Sequence, residues 1–133
     1  MNWLDLPPGW VAGRARAPLV ATARPSSWDG PFMPNLVVAA EPVGDPWLDH
    51  ADRSAAELVD RLAVPLLIDG HVDRGSLQLV VAHELFGRRL TLVQRHVAGG
   101  GRAAVASYTV ADADWPGLWR QVLESVATLR APS

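Results

Sequence analysis

The stretches LQLVVAHELF (Leu77–Phe86), RLTLVQRHV (Arg89–Val97) and AAVASYTV (Ala103–Val110) decide the fold. They are apolar-rich and of similar length, and Gly87-Arg88 and Gly99-Gly100-Gly101 separate them. Connections this short leave room only for hairpins, so three sequential antiparallel strands are predicted. Alternation is cleanest in the second, where Arg89, Thr91, Val93, Arg95 and Val97 oppose Leu90, Leu92, Gln94 and His96, as expected for a sheet with one face packed against helices.

Downstream, Asp114 precedes Trp115-Pro116. Leu118, Trp119, Val122, Leu123, Val126 and Leu129 then recur at helical spacing, with Arg120, Gln121 and Glu124 outside the stripe. A C-terminal helix docked on the sheet follows, with Trp119 expected in the core. Upstream, Leu48, Ala51, Ala55, Leu58 and Leu62 share one helical face. Asp45-Pro46 offers one start and the capping box Ser54-Ala55-Ala56-Glu57 a second; Pro65 ends the helix. The Pro- and Gly-rich N-terminal third holds two extended candidates, Pro18–Ala23 and Asn35–Ala40, joined by a long loop, and a short strand is expected near Leu66–Ile68. The predicted class is α+β: an antiparallel β-sheet with helices packed on it, in a single globular domain over residues 1–133.

Composition bounds the function. At 133 residues, 49% apolar and 20% charged, the chain can bury one core, and six Trp argue against disorder. Without Cys there is no disulfide scaffold, thiolate zinc site, iron–sulfur cluster or cysteine nucleophile. All twelve basic residues are Arg, a bias that suggests a GC-rich genome. They are scattered against fourteen acids, so the footprint of a nucleic-acid binder is missing. No apolar run approaches the ~20 residues of a membrane span. The start MNWLDLPPGW carries acid and prolines where a secretion signal needs a basic start, which predicts a cytoplasmic protein.

Certain residues resemble a known family: Pro8-Gly9-Trp10; Phe32-Met33-Pro34-Asn35-Leu36-Val37-Val38 leading into a strand; Gln94 within Leu92-Val93-Gln94-Arg95; and Leu123-Glu124-Ser125 in the last helix. With the element order, they resemble the PsbP-like fold shared with the Ran-binding Mog proteins, near the actinobacterial families of LpqN-type lipoproteins. The chain departs from the latter in having no secretion signal and no lipid-accepting Cys. The resemblance implies an αβ sandwich and a non-catalytic protein-binding role, such as an adaptor or secretion-associated chaperone, and it transfers no catalytic residues.

Candidate chemistry is sparse. Val72-Asp73-Arg74-Gly75 echoes one metal block of the metallophosphoesterases, and a small metal-dependent hydrolase using His71/Asp73, or His83, is the enzymatic alternative. Two-metal hydrolysis needs ligands from several loops, however, and neither flanking block of that family is present. Of the four histidines, His50, His71, His83 and His96, no pair has helical metal spacing. If the hairpin pairs residues whose numbers sum to about 175, His83 faces Leu92 and His96 faces Leu79, too far apart at ~3.4 Å per residue to share an ion. No metal and no cofactor are therefore expected. There is no Gly-x-Ser-x-Gly elbow, and the glycine run precedes a strand where a phosphate cradle needs a helix. A carrier of a small apolar ligand, held between helix and sheet, is a further alternative. The candidate working surface is the loop of Trp28, Phe32 and Met33, with Trp47 a similar case, contacting a protein partner or a second copy in a homodimer.

Overall fold

The computed structural model describes residues 1–132. The chain runs β1 (Trp10–Gly13), β2 (Leu19–Pro25), β3 (Asn35–Pro42), α1 (Trp47–Arg61), β4 (Ala63–Asp73), β5 (Ser76–Leu85), β6 (Arg88–Gly99), β7 (Arg102–Ala111) and α2 (Trp115–Val126). All strands join one seven-stranded sheet in the order β1-β2-β3-β7-β6-β5-β4, and every neighbouring pair is antiparallel. The α+β expectation holds.

The order follows from one crossover. β3 feeds α1, which carries the chain across the sheet to its far edge; β4, β5, β6 and β7 then return by hairpins until β7 pairs with β3. The β5–β6 turn is Phe86-Gly87, both residues at positive φ (51° and 74°), as a two-residue turn matched to strand twist demands. That sets the register one step along each strand from the expected one: His83 pairs with Leu90 and His96 with Leu77. Face parity is unchanged.

The helices lie on opposite faces of the sheet, a correction to the one-face expectation. Val80 and Val93 point toward α2 and cluster with Leu36, Val38, Ala106, Tyr108, Val122 and Val126, closed at one side by Leu4 and Trp10. Leu77, Leu79, Val81 and Leu92 point the other way, against Ala51 and Leu58 of α1. The reason is visible in β5, whose residues from Leu79 to His83 are all buried, so both faces need cover.

Three local expectations change. The first helix is one 15-residue piece from Trp47. Pro46 stands at its N-cap, and Asp45 forms an ion pair with Arg53 where a cap bond was expected. The short strand at Leu66–Ile68 is an 11-residue edge strand, lengthened by hydrogen bonding to β5 across two register shifts. Trp119 is 41% exposed, with the Arg120 guanidinium 5.1 Å from its ring centroid. Trp115, Leu118, Val122 and Val126 take the inward phase of α2 in its place. β1 was missed because four residues carry too little periodicity to read.

Candidate functional site

On the α1 face the apolar layer gives way to polar side chains beside Leu77 and Leu92. His96 follows Leu92 and Gln94 on the same face of β6, and its Cα neighbours across the sheet are Leu77 and Val105. Glu41 closes β3 in phase with Val37 and Ala39. His50 sits in the first turns of α1, beside Ala51 and eight residues before Leu58, the positions that face the sheet. The crossover lays His50 over the strand ends, and the three side chains meet.

The His50 Nε2 lies 3.1 Å from Glu41 Oε1, and the His96 Nδ1 3.6 Å from the same oxygen. Both rings are buried, while Glu41 remains open to solvent on one side. Trp47 stacks on His50 at 5.7 Å and 30° between planes. Its indole Nε1 donates to the Asp73 carbonyl at 2.9 Å, tying the start of α1 to the end of β4. Behind His96, its Nε2 meets Gln94 Oε1 at 2.7 Å, and the Gln94 amide donates to Ser107 Oγ at 3.0 Å. The His96 Nδ1 is left buried without a hydrogen-bond partner. The Glu41 carboxyl is held below its ordinary value by His96 first and by His50 after it, against the upward push of partial burial.

Among the described residues, Glu41, His50 and His96 are the group that brings three metal-ligating atoms together, all within 4.8 Å of one another. The expectation that no histidines converge therefore fails for this pair. It fails because register and helix placement, neither written in sequence spacing, bring the rings together. His71 and Asp73 are not in the group; both lie exposed on β4. His83 is buried on the α1 face of β5, opposite Leu90.

The aromatic loop is less bare than its composition suggests. Trp28 is half-buried and folded onto Gly30, where a Cβ would come within 2.7 Å of its indole nitrogen. Phe32 is half-buried with the Arg88 guanidinium 6.0 Å from its centroid, and Met33 is the exposed member. The larger apolar surface is elsewhere. All eleven residues of β4 are exposed. Val64, Leu66, Leu67, Ile68 and Val72, with Leu85 and the 99% exposed Phe86 at the next turn, hold more than half of the exposed large apolar side chains. The other edge, β1, is only four residues long.

No family model matches the chain, and no curated protein matches it. Solved structures do. A protein of unknown function, PA94 from Pseudomonas aeruginosa, aligns with a TM-score of 0.64 at 18% identity, covering 93% of this chain and 99% of that one. LpqN of Mycobacterium tuberculosis, involved in cell envelope biogenesis, aligns at 0.69 and 14% identity over 90% of this chain and 76% of its own. The cyanobacterial PsbP of Synechocystis aligns at 0.59 and 11% identity over 99% and 94%. The fold is PsbP-like, near that of LpqN-type proteins. At these identities the likeness carries the fold and leaves the chemistry to the side chains. Among the described residues no helix is long and apolar enough to cross a membrane.

Proposed function

We propose that the protein is a non-catalytic binding module that works by strand addition at the β4 edge, its occupant being β4 of a second copy. The observation that carries this is the bare edge: eleven residues of strand, paired to β5 on one side only and apolar through Val64–Ile68. Such an edge offers a row of backbone donors and acceptors to an incoming strand, and its side chains add apolar contact that water does not reward. Pro65 and the two register shifts blunt it only in part.

The sequence of the edge complements itself. An antiparallel pairing centred on Leu67 stacks Leu66 of each copy beside Ile68 of the other. An isologous dimer needs one such patch. The Trp28–Pro34 loop is the weaker candidate, since two of its three large side chains are already half-buried against their own chain.

Light scattering tests it. The wild type is expected at twice the 14.3 kDa chain mass, and Leu66→Lys with Ile68→Lys at the chain mass with an unchanged circular dichroism spectrum. Trp28→Ser with Phe32→Ser is expected to stay dimeric. A wild type that remains at the chain mass at tens of micromolar, or a Lys variant that remains dimeric, overturns the proposal.

A further inference from the structure

We propose that Glu41, His50 and His96 form a binding site for one divalent transition-metal ion of the zinc class. The site is separate from the β4 edge and does not rest on the dimer reading.

The geometry is close to a coordination sphere. Around a tetrahedral zinc ion with bonds of about 2.0–2.2 Å, neighbouring ligand atoms sit about 3.4 Å apart. The distances from Glu41 Oε1 to His50 Nε2 and His96 Nδ1, 3.1 and 3.6 Å, bracket that value. All three atoms lie within 4.8 Å of one another.

His96 supplies the independent reason. Gln94 presents its amide oxygen to His96 Nε2 because its amide nitrogen is committed to Ser107, so Nε2 carries a proton and Nδ1 is the ring atom turned inward, toward Glu41. That Nδ1 is buried, the residue being 3% exposed, and makes no hydrogen bond, the Glu41 oxygen standing 3.6 Å away. A buried ring nitrogen without a hydrogen-bond partner is rare in folded proteins. An ion at the centre satisfies it, and takes the place of the proton that His50 Nε2 shares with Glu41. Two neutral imidazoles and one carboxylate leave such an ion with a net positive charge of one. Imidazole and carboxylate donors together suit zinc, cobalt or nickel better than calcium or magnesium.

The supports of the site are those that metal-bound histidines ordinarily have. The Gln94–Ser107 pair fixes the tautomer and ring angle of His96, and Trp47 holds the His50 ring by stacking. Because Glu41 is open to solvent on one side, the site is reachable from water. Gln94 is a positioning residue here, acting on the ion only through His96.

The test uses the full chain, stripped with a chelator and titrated with zinc by calorimetry and with cobalt by visible absorption. One ion per chain is expected, with the cobalt spectrum showing nitrogen and oxygen ligation in a low-coordinate site and zinc displacing it. His50→Ala and Glu41→Gln should lose saturable binding while keeping the wild-type circular dichroism spectrum, and His71→Ala should bind like the wild type. Gln94→Leu should weaken binding about ten- to a hundredfold without changing stoichiometry. If His96→Ala fails to fold, His50→Ala and Glu41→Gln still decide. A wild type with no saturable one-to-one binding overturns the proposal, as does undiminished binding in both of these variants, which would assign the ion to surface groups.

Discussion

The two faces of the sheet are closed in different ways. On the α2 face, Leu36, Val38, Val80, Val93, Tyr108 and Val110 meet Val122 and Val126 in one large apolar cluster. Its polar groups are paired off separately: Thr91 donates to Asp112 at 2.6 Å, Arg95 to Gln78 at 3.0 Å, and the Tyr108 hydroxyl lies 2.5 Å from Ser125 Oγ, which in turn donates to the Asp5 carbonyl at 2.6 Å and so ties in the N-terminal segment. On the α1 face the apolar cluster is small, and Glu41, His50, Gln94, His96 and Ser107 continue it as a connected polar network. An apolar face fixes the fold by area. A polar one adds little net stability and holds side chains in place, and so it is the face where a site can be built.

The largest expected difference between the faces is in core truncation. Leu36→Ala removes a fully buried side chain at the centre of the α2 face, and a cost of about 2–5 kcal/mol is expected in chemical denaturation. Leu58→Ala, on the inner side of α1 in the smaller apolar cluster, is expected near the low end of that range. Equal costs would break the contrast.

Next comes Tyr108→Phe, expected to cost about 1–2 kcal/mol at neutral pH through the lost hydrogen bond to Ser125, whose hydroxyl keeps the Asp5 carbonyl. Its pH dependence sharpens the point. Burial raises the Tyr108 hydroxyl to about 12 from an ordinary 10. The folded state therefore holds its proton where the unfolded chain has released it. Stability from this group is complete below pH 10 and is lost as pH rises toward 12. Denaturation midpoints across that window should fall in the wild type and stay flatter in Tyr108→Phe.

Trp119→Ala is expected to cost about 1 kcal/mol or less, because the side chain lies on the outer side of α2. A loss comparable with Leu36→Ala would mean that the α2 register differs from the one described. The smallest effect belongs to the polar network. Glu41 titrates below its ordinary value when folded, so its contribution is present above about pH 4.5 and is lost as the solution is acidified through the lowered value. Half-open to solvent, it contributes little. Glu41→Gln should leave neutral stability nearly unchanged and flatten the acid limb of the pH–stability curve.

Most of the architecture was legible in sequence. The three hairpin-linked strands, both helices and the α+β class follow from a period of two or 3.6 and from glycines at turns, all of which act over a few residues. β4 was half legible: its apolar centre at Leu66–Ile68 shows in the sequence, while its length comes from hydrogen bonds to β5. Trp119 was misplaced because the apolar stripe of α2 is wide, and only the packed sheet decides which of its edges turns inward.

The candidate site was not legible as a site. His50 could be seen in phase with Ala51 and Leu58, and His96 in phase with Leu90 and Leu92, which marks each as facing a sheet or a helix. Nothing local says that they face one another. The sequence by itself determined the elements, their order and the apolar surface that each must cover, because propensity and alternation are properties of neighbours along the chain. The tertiary structure alone decided that α1 crosses to the face opposite α2, and with that crossing it brought Glu41, His50 and His96 together. The reason is that the face on which a crossover helix lies is set by sheet twist and by the burial of both sides of β5, which are properties of the assembled sheet and of no single segment.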